Sequence, residues 1–164
     1  MDIPETELQR RVEILTDGLK RAGIKLTHQR LEIGREIAAS GGHPDAETVF
    51  QGVRARVPTI SLDTVYRTLH TLLDLGLIGT LGSPSERMRF DGNPARHHHF
   101  VCTRCGAVRD FTCEACDHLH VPEAVSAIGA VDTTQVEFRG VCRKCSAGNG
   151  PNTMHGTKEG AVHE

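Results

Sequence analysis

The chain has no tryptophan, one tyrosine and five phenylalanines among its 164 residues. Because aromatic side chains are so few, any hydrophobic core must be built mainly from aliphatic residues, and we expect it to be modest in size. No apolar run is long enough to span a membrane, and the acidic first residues do not resemble a signal peptide. We therefore expect a cytoplasmic protein with no membrane partner.

Net charge is also small, since 19 lysines and arginines nearly balance 21 aspartates and glutamates. A net charge of -2 excludes a polycation that would bind nucleic acid through bulk charge alone. Residues 18–72, however, contain eight lysines and arginines against five acidic residues. This local excess is compatible with a surface that faces DNA.

Histidine and cysteine are the two residue types in excess. Seven of the ten histidines and all six cysteines lie after residue 90, so the two halves of the chain differ in their chemistry. We infer two domains from this difference. In a reducing cytoplasm, paired cysteines are more often metal ligands than structural disulfides.

The first 90 residues predict four helices followed by a hairpin. Apolar residues recur at helical spacing, and Thr27 and Ser61 stand where N-caps are expected. Residues 77–81 and 87–90 have strand patterns and are joined by a turn signal at residues 82–85. The order predicts a winged helix-turn-helix domain over residues 1–90, in which the hairpin is the wing.

The fourth predicted helix, after Ser61, has an aliphatic stripe on one side and polar residues on the other. We place the candidate contacts to double-stranded DNA on the polar side, at Thr64, Tyr66, Arg67 and Thr68. An arginine there could pair with a guanine edge, and hydroxyls could reach phosphates. The alternative is an ordinary solvated helix face.

Residues 91–96 predict a hinge, and residues 97–146 predict a second, smaller domain. Its pattern is a strand at 97–102, a strand at 107–111, a helix over 118–128 and a long strand over 133–141. Residues 147–164 are rich in glycine and are predicted to be a disordered tail. The expected fold class is α+β, with a winged-helix domain and a small α/β dimerisation domain stapled by zinc.

Two Cys-x-x-Cys pairs predict a structural zinc site. Four thiolates close a tetrahedral site and leave no open position for catalysis, so Zn²⁺ would tie the start of the second domain to its end. The proposed ligands are Cys102, Cys105, Cys142 and Cys145. The alternative is that these cysteines are reduced and bind no metal.

The third pair, Cys113 and Cys116, has no single interpretation from the sequence. It could bind zinc together with Cys102 and Cys105, form a redox-active dithiol, or lie on a loop without a role.

The triple histidine at residues 97–99 predicts a second kind of metal site. On a strand, alternate side chains face opposite sides, so His97 and His99 share one face. Asp91 and Asp110 lie close enough in the predicted fold to complete a mixed nitrogen and oxygen site. A solvated strand end is the alternative interpretation.

The order and spacing of several motifs resemble the ferric uptake regulator family, over roughly residues 8–146. The motifs are Thr27-His28-Gln29-Arg30, His43-Pro44, Asp63-Thr64-Val65-Tyr66-Arg67-Thr68-Leu69, Arg89-Phe90-Asp91, the segment from His97 to Cys105, and Gly140-Val141-Cys142-Arg143-Lys144-Cys145. Aspartate at both positions 91 and 110 resembles the peroxide-responsive (PerR-like) branch, since iron- and zinc-sensing branches often have glutamate there.

The resemblance implies a homodimeric repressor that binds a palindromic DNA operator when a regulatory metal is present. Its regulatory Fe²⁺ or Mn²⁺ would be held by His43, Asp91, His97, His99 and Asp110, and its structural Zn²⁺ by the four cysteines named above. A metal held by both domains would fix the angle between them. The resemblance further implies that iron at this site reduces hydrogen peroxide and that His43 or His97 is then oxidised.

Other functions remain compatible with the sequence. One is an iron- or zinc-responsive repressor without oxidative chemistry. A different class is a thiol-redox or zinc-ribbon protein that acts through Cys113 and Cys116. We do not expect an enzyme, because no activated nucleophile or adjacent general base accompanies the histidine cluster.

Overall fold

The computed structural model describes residues 3–81 and 87–148. The chain divides into two compact units, Met1–Arg96 and His97–Glu164, called here the N-terminal unit and the C-terminal unit. Helices and small sheets occur in both, which confirms the α+β class. Within the described residues, no helix combines the length and apolar character that a bilayer crossing requires.

In its described residues, the N-terminal unit contains four helices followed by a two-stranded antiparallel hairpin. The helices are α1 Glu5–Arg21, α2 His28–Ala39, α3 Ala46–Arg54 and α4 Leu62–Asp74, and the strands are β1 Gly79–Leu81 and β2 Arg89–Asp91. In the hairpin, Gly79 pairs with Asp91 and Leu81 with Arg89. The turn predicted at residues 82–85 lies outside the described residues.

Side chains cap three of these helices, as their sequences indicate. Thr27 accepts a hydrogen bond from the backbone of Arg30 at the start of α2, and Ser61 accepts one from Thr64 at the start of α4. Each cap satisfies a backbone N–H that has no partner within its helix. Asp45 does the same for α3. The predicted positions of Thr27 and Ser61 are therefore confirmed.

An aliphatic core fills the N-terminal unit, and among the residues that the structure describes there, Phe90 is the one fully buried phenylalanine or tyrosine. All four helices and both sides of the hairpin contribute residues to this core. Close packing of aliphatic side chains therefore fills the space that aromatic residues would occupy in other proteins. The buried residues are Leu15, Leu19, Ile33, Ile37, Ala38, Ala46, Val49, Val53, Val57, Ile60, Val65, Leu69, Leu72, Ile78 and Phe90.

Close backbone packing holds the segment that follows β2 against α2. A methyl group added at Gly92 would lie 2.5 Å from the carbonyl oxygen of Ile37, which is far inside van der Waals contact. Only glycine allows this approach. The packing fixes the course of the chain immediately after Asp91, which is the last residue of β2.

The C-terminal unit is built on a three-stranded sheet in the order β4-β3-β5. The central strand is β3 His98–Cys102, which pairs with β4 Val108–Phe111 in antiparallel and with β5 Glu137–Gly140 in parallel. Up to residue 148, where the described part of this unit ends, it also contains three one-turn helices: α5 Glu114–Asp117, α6 Glu123–Ser126 and α7 Arg143–Ser146.

Two predicted elements of this unit are wrong. The helix expected over residues 118–128 is replaced by α5 and α6, because Pro122 lacks a backbone N–H and starts a new helix rather than continuing one. The long strand expected over residues 133–141 is limited to the four residues that pair with β3. Of the predicted tail, residues 149–164 lie outside the described residues.

The cap at Ser61 gives a direct test of the N-terminal unit. We expect Ser61→Ala to lower the free energy of unfolding by about 1 kcal/mol, because a backbone N–H of α4 loses its acceptor. Urea titration followed by circular dichroism measures the change. Ser61→Gly is the matched control and should cost only a few tenths of that amount; equal losses in both variants would contradict the capping role.

Candidate metal centres and DNA-facing helix

Four cysteines of the C-terminal unit converge on one point. The sulfurs of Cys102, Cys105, Cys142 and Cys145 all lie within 4.8 Å of one another, and those of Cys105 and Cys142 are 3.9 Å apart. Zinc–thiolate bonds of about 2.3 Å in a tetrahedron place neighbouring sulfurs about 3.8 Å apart. The cluster therefore has the donor type, number and spacing of a closed zinc site.

Two turns bring these cysteines together. Cys102 ends β3, and the turn back to β4 uses Gly106 at φ 68°, a left-handed conformation that suits glycine. On the other side, α7 carries Cys145 and begins after Cys142. Arg104 donates a 2.6 Å hydrogen bond to the backbone carbonyl of Cys145, which links the two turns.

The surroundings of the cluster shift the pKa values of two of its thiols in opposite directions. The backbone N–H of Cys142 donates to Cys102 at 3.3 Å, and this and other backbone donors lower the pKa of Cys102 to about 6. Burial raises the pKa of Cys145 to about 12. A single divalent cation would stabilise all four thiolates and remove the cost of burying that of Cys145.

Cys113 and Cys116 lie outside this cluster and form a disulfide with each other. The alternative in which they bind zinc together with Cys102 and Cys105 is therefore wrong. The physical reason is that Cys102 and Cys105 already meet the other pair, which completes four ligands.

In the N-terminal unit, His43 and Asp91 form a buried pair. Nε2 of His43 lies 3.8 Å from Oδ1 of Asp91, and the two side chains are 3% and 8% exposed. The backbone N–H of Phe90 donates to the carbonyl of Pro44 at 2.9 Å, which holds the loop beside β2. His43 is also the one described non-glycine residue with positive φ, at 51°. A residue held in this sparsely populated region points to a functional constraint.

In the C-terminal unit, β3 and β4 bring together His97, His99 and Asp110. Nε2 of His97 lies 2.9 Å from Nε2 of His99, and both rings are buried. The carboxylate of Asp110, opposite His99 in the strand register, lies 3.8–3.9 Å from both. Two imidazoles and a carboxylate form a donor set that suits a divalent transition metal. The predicted shared face of His97 and His99 agrees with this geometry.

His98, between these two residues, points to the opposite side of β3. Its Nδ1 accepts a hydrogen bond from the backbone of Val136 at 3.3 Å, and its Nε2 lies 3.2 Å from Oδ1 of Asp117. The ring is fully buried beside Phe111. The alternation of side chains along a strand predicts this side for His98, whereas the proximity of Asp117 depends on the position of α5 and has no signal in the sequence.

Helix α4 presents a polar exposed face that includes two of the four residues predicted as DNA contacts. Tyr66 is 43% exposed and the side chain of Arg67 is 76% exposed, whereas Thr64 is half-buried. Thr68 is only 4% exposed, so its prediction as a DNA contact is wrong. The buried stripe is Val65, Thr68, Leu69 and Leu72, at i, i+3, i+4 and i+7.

The exposed face of α4 is therefore shifted by one residue from the prediction. It carries Asp63, Tyr66, Arg67 and His70. Arg67 forms an ion pair with Asp63 one turn earlier. The phase of the aliphatic residues Val65, Leu69 and Leu72 was the signal that could have placed this face correctly.

A four-helix unit with a hairpin, followed by a unit rich in metal ligands, defines the class of metal-dependent DNA-binding regulators. The pattern of the ferric uptake regulator family matches residues 21–137. The peroxide-responsive repressor PerR of Staphylococcus epidermidis is 33% identical over 129 residues, which are 77% of this chain and 85% of that protein. The chain belongs to the ferric uptake regulator family, as its motifs indicated.

Solved structures support the same fold. The ferric uptake regulator Fur of Helicobacter pylori matches with a TM-score of 0.66 at 22% identity, covering 85% of this chain and 93% of that chain. A peroxide stress regulator of Campylobacter jejuni matches with a TM-score of 0.59 at 26% identity, covering 82% and 98%.

Substitution of single cysteines tests whether the four-cysteine cluster, and not the pair Cys113 and Cys116, binds zinc. We expect Cys142→Ser to lose bound zinc and to make the C-terminal unit susceptible to proteolysis, because three ligands bind zinc far more weakly than four. Metal analysis of the purified chain and limited proteolysis measure both effects. The Cys113→Ser/Cys116→Ser variant should keep its zinc; loss of zinc there would show that the cysteines are paired differently.

Proposed function

We propose that this chain is a metal-dependent transcriptional repressor in which one Fe²⁺ or Mn²⁺ ion takes ligands from both units. The proposed ligands are His43, Asp91, His97, His99 and Asp110. The observation that carries the proposal is the pair of buried imidazoles in the C-terminal unit that the partly exposed carboxylate of Asp110 faces. Together the imidazoles and the carboxylate offer three donors, and the pair in the N-terminal unit offers two. Such ions favour about five or six ligand positions, and neither set alone fills them.

Metal binding of this kind limits the arrangements that the two units can adopt. Without metal the chain samples several arrangements, and only some of them match two DNA half-sites. An ion held by both units favours one arrangement. A 100-fold effect on DNA affinity requires about 2.7 kcal/mol of coupling, which lies within the usual range for allosteric proteins.

The proposed signal is hydrogen peroxide. Support comes from the aspartates at positions 91 and 110 and from the 33% identity to a peroxide-responsive repressor. Bound Fe²⁺ would supply the one-electron reduction of the peroxide. Oxidation of the imidazole of His43 or His97 would then weaken a ligand, release the metal and free the DNA.

We further propose that the four-cysteine cluster holds a structural Zn²⁺ and that the chain acts as a homodimer. The C-terminal unit leaves several large apolar side chains exposed, namely Leu119, Val125, Ile128, Val131, Phe138 and Val141. Strand β5 also lies at an edge of the sheet. A second copy would cover such surfaces, and a two-fold dimer fits a palindromic operator.

The proposed DNA contacts are Tyr66 and Arg67, with Thr64 at the start of α4. Tyr66 and Arg67 project from the exposed face, where helix-turn-helix proteins read the major groove. Arg67 would exchange its ion pair with Asp63 for a contact to a base or a phosphate.

Arg67→Ala tests this interface. We expect the variant to weaken operator binding by about 1–3 kcal/mol, because a charged contact to the DNA is lost. Fluorescence anisotropy measures the change, with Mn²⁺-loaded protein and a duplex selected by that protein from a random pool. Arg109→Ala removes an exposed arginine of β4 and is the matched control. Equal affinities for Arg67→Ala and the parent chain would exclude Arg67 from the interface.

Peroxide sensing is tested by comparing the two regulatory metals. Hydrogen peroxide should abolish DNA binding by the Fe²⁺-loaded chain and leave the Mn²⁺-loaded chain unaffected, since only iron reduces the peroxide here. Mass spectrometry should find one added oxygen atom on the peptide containing His43 or on that containing His97. Metal-dependent DNA binding that survives peroxide with either ion would instead identify an iron- or zinc-responsive repressor without oxidative sensing.

A further inference from the structure

The disulfide between Cys113 and Cys116 has no role in the function proposed above. It joins the N-cap of α5 to the third residue of that one-turn helix, and both side chains are only partly buried. We propose that these two cysteines are a reversible redox site: a hydroperoxide oxidises the dithiol to the disulfide, and a dithiol reductant restores it. This site needs no iron, so it is chemically separate from the proposed histidine oxidation.

The short span of this disulfide favours a redox role over a stabilising one. Only two residues separate the cysteines, and closing so small a loop removes little conformational entropy from the unfolded chain. Partial exposure leaves the sulfurs open to attack by a small oxidant or by a thiolate. The four-cysteine cluster is less accessible to such reagents, because two of its four sulfurs belong to buried residues.

Hydrogen bonding at the turn identifies Cys113 as the attacking residue. The backbone N–H of Cys116 lies 3.1 Å from the sulfur of Cys113, where it donates a hydrogen bond. Such a donor stabilises the thiolate that forms when the pair is reduced.

The reaction balances with hydrogen peroxide as the oxidant. The Cys113 thiolate attacks one peroxide oxygen, the O–O bond breaks, hydroxide leaves and a sulfenic acid forms. The Cys116 thiolate then attacks this sulfur, the S–O bond breaks and the disulfide forms. Two electrons pass to the peroxide, and the two thiol protons complete two water molecules. In the reverse direction, an external dithiol is oxidised to its own disulfide by exchange.

A short path connects this site to the candidate metal ligands. Asp117 follows Cys116 directly, and its backbone N–H donates to the carbonyl of Cys113 at 2.9 Å, so the turn fixes its position. Its carboxylate lies 3.2 Å from Nε2 of His98, which is fully buried in β3 between His97 and His99. Because the disulfide closes this turn, reduction of the disulfide should allow Asp117 to move. The contact between Asp117 and His98 would then be weakened, and His97 and His99, on either side of His98, would be held less firmly in place.

The redox site is tested first by itself, on the full-length zinc-loaded chain. Reduced protein is exposed to hydrogen peroxide, alkylated to trap free thiols, digested and examined by mass spectrometry. We expect Cys113 and Cys116 to become protected together and to be freed again by dithiothreitol, while the other four cysteines keep their zinc. The proposal is overturned if the pair does not form a disulfide, or if disulfides form first among the zinc cysteines.

The link to the metal ligands rests on the proposed function and is tested separately, through Mn²⁺ affinity. We expect the oxidised chain to bind Mn²⁺ about fivefold more tightly than the reduced chain, a typical modest coupling. Cys113→Ser/Cys116→Ser should show one affinity under both conditions. Asp117→Asn should still form the disulfide but lose the difference in affinity, which identifies Asp117 as a positioning residue.

The two kinds of failure are distinguishable. Equal Mn²⁺ affinity in the oxidised and reduced parent chain overturns the link through Asp117 and leaves the regulatory site standing. A chain that binds no Mn²⁺ in either state contradicts the regulatory site and the link together, whereas the alkylation experiment still decides the redox site.

Discussion

The convergence of four cysteines is the constraint on which the C-terminal unit depends. The apolar core of this protein belongs to the N-terminal unit, and the buried residues of the C-terminal unit are mainly histidines and cysteines. So small a unit gains little from hydrophobic burial. The cluster instead joins the end of β3 to α7, two segments about forty residues apart in the chain. Zn²⁺ bound there, as proposed above, would therefore order β3 and with it the histidines near the other end of the strand.

Much of the N-terminal unit could be predicted because its signals are local. A cap such as Thr27 or Ser61 acts on residues three positions away, and aliphatic residues at helical spacing define a helix without reference to the rest of the chain. The association of Cys102 and Cys105 with Cys142 and Cys145 could also be predicted, because a closed zinc site of this kind requires four thiolates. The sharing of a face by His97 and His99 follows from strand geometry alone.

The predictions were wrong where contacts between distant parts of the chain determine the structure. On α4, Thr68 was assigned to the polar face from its residue type, although its position in the helix places it among Val65, Leu69 and Leu72. A threonine is small and apolar enough to be buried there. In the C-terminal unit, the length of β5 is set by its pairing with β3, and the disulfide between Cys113 and Cys116 depends on the other four cysteines converging elsewhere. Neither fact is contained in a short stretch of sequence.

The left-handed backbone at His43 has a consequence for how this protein could change over time. Such a conformation costs a side-chain-bearing residue about 1–3 kcal/mol, and glycine adopts it without that cost. Glycine at this position would remove that backbone cost together with a proposed ligand. The backbone conformation and the proposed metal-binding role therefore favour different residues at this one position.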